Sequence, residues 1–437
     1  MFWLQLAMIL LLLWFGAKRG GMFLGMCGGI GLGVMVFVFN ADPTAPPVDV
    51  MMIILAVILA ATAMQAAGGL EFLVNVAERL LRRHPAQVTF LAPAVSYLFT
   101  FFSGTGHIIY SLLPVIVEVA KESGVRPERP VAISVVAAQH AIPACPISAA
   151  MAAMIGFLAP MGVSMPQILI VTLLSTLIGM VVGAFAMLRK GAELEKDPDY
   201  LRRVTEGLIQ PPMARTEVKP ANKEQRLSII LFLTGVVVVV IMGVFPALRP
   251  LVPGGGGTVT LGMSTAIEIV MLVLACVIVL ACKVNVEKFV HCSVFQSGCV
   301  AIVCCFIVWM NSCFVNAHIA MIKTSVAGFL EAHAWLFIVV TFMVSVITSS
   351  QFATTAIVMP LGISLGLPPE ILLGAFPAVA GYYFLPIGSQ ALTAIAFDDT
   401  GTTRLGKYLL DHSFMFPGLV MTIVSVFVAT SMAKAIL

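Results

Sequence analysis

Charge is what this chain has least of. Only 10% of its 437 residues are Asp, Glu, Lys or Arg, where a soluble domain carries about a quarter. With 60% apolar residues beside that shortfall, a soluble globular protein is excluded. Other signatures are missing too. Nine cysteines contain no Cys-x-x-Cys pair and no zinc-finger spacing. Cys299, Cys304 and Cys305, with Cys292 and Cys313 nearby, therefore read as small buried hydrophobes. His-Glu-x-x-His is absent, so no zinc-protease signature stands out. The four glycines at 254–257 are not followed by Lys-Ser/Thr, which removes a phosphate cradle. No basic face offers itself to nucleic acid. The N-terminus lacks a charged leader region and a small-residue cleavage site, so residues 1–15 read as a retained span.

What is present is a series of apolar runs. Each needs roughly 20 residues to cross a bilayer. Full crossings fall at 2–16, 22–40, 49–67, 129–157, 166–188, 227–248, 264–282, 291–310, 371–396 and 413–433. Segments 88–121 and 335–366 read as helix-turn-helix hairpins that enter and leave on one side, because their arms fall short of a span. Residues 1–188 and 227–437 then form two halves of opposite orientation, an inverted-topology repeat. The polar segment 189–226, with its prolines and mixed charges, is the linker between them. With the N-terminus outside, 21 of the 24 Lys and Arg residues fall on the inner side, as the positive-inside rule requires. Both termini then lie outside. The fold class is an all-α polytopic membrane protein of about ten spans and two re-entrant hairpins.

Polar breaks interrupt this greasy pattern at matching places. Ser103-Gly104-Thr105-Gly106-His107 breaks one run, and Pro143-Ala144-Cys145-Pro146-Ile147-Ser148 another. Offset by 245 and 243 residues, Thr348-Ser349-Ser350-Gln351 and Pro386-Ile387-Gly388-Ser389-Gln390 repeat the pattern. Backbone broken at membrane depth persists only where protein or a water-filled cavity satisfies it. Paired breaks in corresponding halves point to a transporter's substrate site. Glycine at 104, 106 and 388 lets backbone approach a ligand. A new helix N-terminus carries about half a positive charge and binds anions without a basic side chain. The candidate site is therefore Ser103, Gly104, Thr105, Gly106, His107, Ser148, Ser349, Ser350, Gln351, Thr354, Thr355, Gly388, Ser389 and Gln390. It suits a polar anion, with Na+ or H+ as a possible coupling ion and no other cofactor. His140, Glu268 and the turn Asp398–Thr403 are secondary candidates. An intramembrane enzyme using His107 or His140 with a nearby Ser is the alternative of another class.

Several segments resemble a known family, the anaerobic C4-dicarboxylate (Dcu) transporters of bacteria. They are Met64-Gln65-Ala66-Ala67-Gly68-Gly69-Leu70, Leu80-Leu81-Arg82-Arg83-His84-Pro85, Gly104-Thr105-Gly106, Leu113-Pro114-Val115-Ile116, Arg126-Pro127-Glu128-Arg129-Pro130, Pro146-Ile147-Ser148-Ala149, Asp398-Asp399-Thr400-Gly401-Thr402-Thr403-Arg404 and His412-Ser413-Phe414. Order and spacing agree along the whole chain. The resemblance implies uptake, exchange and efflux of fumarate, succinate, malate and aspartate across the bacterial inner membrane. It also implies kinship with the ion-transporter superfamily: a homodimer in lipid, with an elevator-like transport domain moving against a scaffold. A sensor kinase is a further possible partner. The pattern departs at Val346, where one branch has lysine, and at Leu385-Pro386-Ile387-Gly388-Ser389, where Leu-Pro-Thr-Tyr-Pro is common. Dicarboxylate exchange is the first expectation. Sodium- or proton-coupled symport of another small carboxylate or amino acid is the second.

Overall fold

In the computed structural model the chain is described at residues 1–19, 21–209, 222–254, 257–333, 335–385, 389–406 and 411–437; the side chains of His107, Ser389 and 322–332 are among those left out. Helices α1 (Phe2–Arg19), α2 (Gly21–Phe37) and α3 (Val48–Ala66) open the chain. At Gly68, in the left-handed region, the path bends by 66° into α4 (Gly69–Arg83). Ala77 and Leu81 of α4 are buried one turn apart, while Glu71, Arg79 and Arg83 are exposed. The sequence reading assigned no element between the crossing at 49–67 and the hairpin at 88–121. Its mixed charge hid a two-faced helix.

Then come α5 (Val88–Ser103), α6 (Ile109–Glu122), α7 (Glu128–Ala141), α8 (Ala149–Leu158) and α9 (Met165–Met187). The linker carries α10 (Pro198–Thr205). The second half begins with α11 (Lys223–Val244), strands β1 (Leu251–Gly254) and β2 (Gly257–Thr260) in an antiparallel pair, and α12 (Met263–Ala281). Next are α13 (Ser293–Ala332), α14 (Trp335–Thr348), α15 (Gln351–Ser364), α16 (Pro369–Ala375), α17 (Ser389–Phe397) and α18 (Met415–Ile436). Among the described residues six helices are long and apolar enough to cross a membrane, or seven if α3 and α4 count as one bent span. The expected crossing at 291–310 is the start of a helix 40 residues long. No proline occurs in 293–332 to stop it. The glycine-rich stretch at 254–257 is flanked by the paired strands β1 and β2.

Contacts at their feet show how the arms of each helix pair are placed. With its 3-10 lead-in, the first arm spans 19 residues, enough by length alone to cross. Arg82, just before that arm, donates to Glu118 and Glu122 at the end of α6, each at 2.9 Å. Both feet of the α5–α6 hairpin therefore share one face. In α14–α15, Gly362 lies against the Phe337 ring, so those feet also sit together. The two pairs of feet lie at opposite ends. Lys121 of α6 pairs with Asp399 at 2.9 Å, and Arg203 of α10 donates to the Asp399 carbonyl, so the first pair faces the linker. Ser413, before α18, joins this side through Glu128. Gly374 of α16 packs on Thr430, near the far end of α18.

Close helix packing comes from small residues. A Cβ on Gly25 would meet the Val303 backbone at 2.5 Å, and one on Gly28 would meet the Ile307 nitrogen at 2.5 Å. Gly31 faces Met310. The matching increments show α2 running parallel to α13. Helices α9 and α18 pack antiparallel, with Gly179 against Met421 and Ser425, and Gly183 against Pro417.

The linker is fastened by a buried ionic cluster. Arg126 donates to Glu128 at 2.7 Å and pairs with Asp197, the N-cap of α10. Glu128 also accepts from Ser413 at 2.8 Å. Arg129 holds the Lys190 and Gly191 carbonyls. Burial works against the Asp197 charge, but the Tyr200 N–H and the Arg126 guanidinium outweigh it and hold the carboxyl below its usual range. A depressed folded-state value means that the stabilisation is complete above the unfolded carboxylate range, near ~3.9, and is lost as pH falls through the folded value. We expect wild-type linker to resist proteolysis at neutral pH and to loosen on acidification. Asp197→Asn should cost about 1–3 kcal/mol at neutral pH, and limited proteolysis should find its linker loose there with a flatter pH response.

Candidate functional site

The tips and the first broken span are closed by their own polar groups. The Ser148 hydroxyl donates to the Ile142 carbonyl at 2.7 Å and accepts from Met151 N–H at 3.1 Å. One side chain thus serves the end of α7 and caps α8. Ser350 caps α15 by accepting from Ala353 N–H at 3.2 Å. Thr348 meets the Thr354 hydroxyl at 2.8 Å across the second tip. In the first tip Ser103 donates to the Thr105 carbonyl at 3.1 Å. Gly104 ends α5 in the left-handed conformation, φ +72°. Ser349 holds φ +49° at the matching place without being glycine. Non-glycine residues there carry strain of about 1–3 kcal/mol and cluster at ligand sites.

The tips converge. A cavity of about 880 Å³ is lined by Ser103, Gly104, Thr105 and Gly106 of the first tip and by Thr348, Ser349, Ser350 and Gln351 of the second. Ile142, Ile147 and Ser148 of the first broken span and Gln390 of the second complete the polar end. The volume suits a small-molecule site. Helices α6, α8, α15 and α17 all begin at these breaks, so their positive ends gather there. The opposite wall is apolar, with Leu24 of α2, Ile53, Val57 and Ala61 of α3, and Ala301 and Cys304 of α13.

Nine of the sequence-predicted residues line this cavity. Thr354 and Thr355 lie beside it but are fully buried, their hydroxyls turned back to the Ser350 and Gln351 carbonyls at 2.7 and 2.8 Å. They do not line the cavity. Gly388 lies outside the described residues, as do the side chains of His107 and Ser389. His140 is fully buried away from the cavity, between the Val136 carbonyl and Thr422, each at 3.0 Å. Asp398 is a buried turn organiser, accepting from Thr403 N–H at 2.6 Å and the Thr402 hydroxyl at 2.9 Å.

Sequence reasoning missed Gln139. Gln351 donates to the Gln139 carbonyl at 2.5 Å, Gln139 donates to the Gln390 side chain at 3.1 Å, and Gln390 donates to the Gly106 carbonyl at 2.9 Å. This chain of amides ties the second tip to the first through the end of α7. All three glutamines are at least nine-tenths buried. Its only sequence signal was a glutamine in an apolar helix. Gln139→Leu and Gln390→Leu should each cost about 1–3 kcal/mol, because each strands a buried partner. The double variant should cost little more than one of them. Thermal unfolding in detergent measures this, and simple additivity would show that the two amides are not coupled.

The geometry can now be set beside known proteins. All residues 1–437 match the family described as anaerobic C4-dicarboxylate membrane transporter. A C4-dicarboxylate transporter DcuA of Helicobacter pylori is 38% identical over 99% of both chains. The DcuA of Escherichia coli K12 is 39% identical over 95% of both, and an E. coli anaerobic C4-dicarboxylate transporter DcuB is 36% identical over 97% of both. Two solved structures share the fold at low identity. Neisseria gonorrhoeae MtrF, reported as illuminating a class of antimetabolite efflux pumps, gives a TM-score of 0.52 at 15% identity, covering 93% of this chain and 84% of its own. The Alcanivorax borkumensis YdaH transporter gives 0.56 at 16%, covering 92% and 87%. The chain is a multi-pass membrane protein and a transporter, not an enzyme, and it belongs to the anaerobic C4-dicarboxylate membrane transporter family.

Proposed function

We propose that the protein exchanges C4-dicarboxylates such as fumarate, succinate, malate and aspartate across the bacterial inner membrane. The substrate sits in the cavity between the two hairpin tips. The observation that carries this reading is the convergence of both tips, both broken spans and four helix starts on one cavity. Hydroxyls, amides and helix N-termini there suit a carboxylate. A carboxylate at each end of the substrate matches two tips that approach from opposite sides.

Exchange follows from charge. Carrying a dicarboxylate alone against an inside-negative 100 mV costs about 4.6 kcal/mol, at about 2.3 per charge. Swapping one for another cancels that term. Sodium- or proton-coupled symport is the second reading, since the α5 and α14 carbonyl ends offer oxygen ligands to a small cation.

The order α5–α6–α7–α8–α9 returns as α14–α15–α16–α17–α18, with hairpin feet on opposite faces. That supports two inverted repeats, of which these ten helices form the moving body of an elevator. The linker face is cytoplasmic and both termini are periplasmic, in keeping with the Lys and Arg count. A homodimer joined through the remaining helices is the assembly we favour.

Labelled succinate should enter proteoliposomes preloaded with unlabelled succinate and not buffer-loaded ones, with or without sodium. Uptake into empty vesicles driven by an ion gradient would replace exchange with symport. Thr105→Ala and Ser350→Ala should each slow exchange by about tenfold or more at unchanged expression, since each removes one hydrogen-bonding group worth roughly 1–2 kcal/mol. Normal kinetics in both would remove the tips from the site.

A further inference from the structure

The cavity has a charged mouth that the tips do not explain. Among the described residues, Arg19 is the one Lys or Arg that lines it. It ends α1, a long way in sequence from every break. Its guanidinium lies 5.2 Å from the Phe15 ring centre and 4.9 Å from that of Phe23. Such stacking holds an arginine in place while leaving its edge able to hydrogen bond.

Its height in the membrane follows from helix packing. Helix α2 runs parallel to α13, with Gly25 facing Val303 and Gly28 facing Ile307. The α1–α2 junction is therefore level with the first turns of α13. Val294 and Gln296, from those turns, line the cavity with Arg19. Val294 N–H is held by Gln65 at the end of α3 at 3.1 Å. Beside that end, Gln225 in the first turn of α11 reaches Glu71 at 3.3 Å. The linker feeds directly into α11. Arg19 thus stands at the linker face of the cavity, with the uncharged tips at its deep end.

We propose that Arg19 is the capture residue for the dianion on the linker face, drawing a dicarboxylate into the vestibule before it reaches the tips. The inference rests on the transport reading and adds a residue and a sidedness to it. A single cation in a vestibule with apolar walls raises the local concentration of a dianion. The tips bind by hydrogen bonds and dipoles and need no fixed cation, which would hold a dianion too firmly to release. Arg19 therefore governs entry from one face only. From the opposite face the substrate meets the tips without passing it.

The test is labelled-succinate exchange in proteoliposomes sorted by orientation, with substrate offered at either face. A cysteine replacing exposed Glu206, just after α10, reports which face is outward. Arg19→Gln should raise the half-saturating concentration at the linker face by about tenfold and leave the opposite face unchanged. Arg19→Lys should keep most of the wild-type value. Raising ionic strength should weaken wild-type saturation at the linker face and leave Arg19→Gln flat, because salt screens an exposed charge. Equal effects on both faces, or an unchanged salt response in Arg19→Gln, would overturn the capture role while wild-type exchange still stood. Failure of Arg19→Lys to rescue would overturn the charge argument. No exchange by wild-type protein at either face would overturn the transport reading itself, and this inference with it.

Discussion

Everything in this molecule depends on one constraint: backbone that stops being helical inside a membrane must find its hydrogen bonds within the protein. Among the described residues the breaks meet much of that demand locally. Ser148 bridges the gap between α7 and α8, and Thr348, Ser350 and Thr354 close the second tip among themselves. The remaining need is met between breaks, by Gln351, Gln139 and Gln390 in a row that ends on Gly106. A row of buried, hydrogen-bonded amides of this kind favours one arrangement, since displacement would strand its donors. The same groups that stabilise the broken backbone present their remaining hydrogen-bonding capacity to the cavity. In the proposed reading stability and recognition are served by one set of residues.

A second set of charges organises the linker face. Arg126, Glu128, Asp197 and Ser413 form a buried cluster, and Lys121 and Arg203 meet at Asp399. The partners come from the linker, the base of the first hairpin, the start of α7 and the turn before α18. All belong to the helices that carry the tips, or to the linker. In the elevator reading α10 rides with the moving body, and the rest of the linker, towards α11, takes up the displacement.

Much of this was legible in the sequence because polar and helix-breaking residues stand out sharply in an apolar chain. The tips at 103–107 and 348–351 and the break at 143–148 fall where the reading put them. Arms of α5, α6, α14 and α15 match their expected limits closely. Other features were hidden for definable reasons. Helix α4 carries enough charge to pass for loop, and only its 3.6-residue spacing of Ala77 and Leu81 betrays it. The length of α13 was missed because a span of roughly 20 residues sufficed for the expected crossing at 291–310, and no proline follows to stop the helix. Gln139 needed tertiary placement. A lone amide in an apolar helix has no sequence partner, and its neighbours Gln351 and Gln390 lie more than 200 residues away. Thr354 and Thr355 looked equivalent to the tip hydroxyls but fall on the turn of α15 that faces its own carbonyls.

The central claim is that the cavity between the tips holds the dicarboxylate. An experimental structure determined with saturating succinate tests it most directly. The account predicts density between 103–106 and 348–351, within hydrogen-bond reach of Ser148 or Gln390. Density confined to another part of the molecule, with the cavity between the tips vacant, would contradict it.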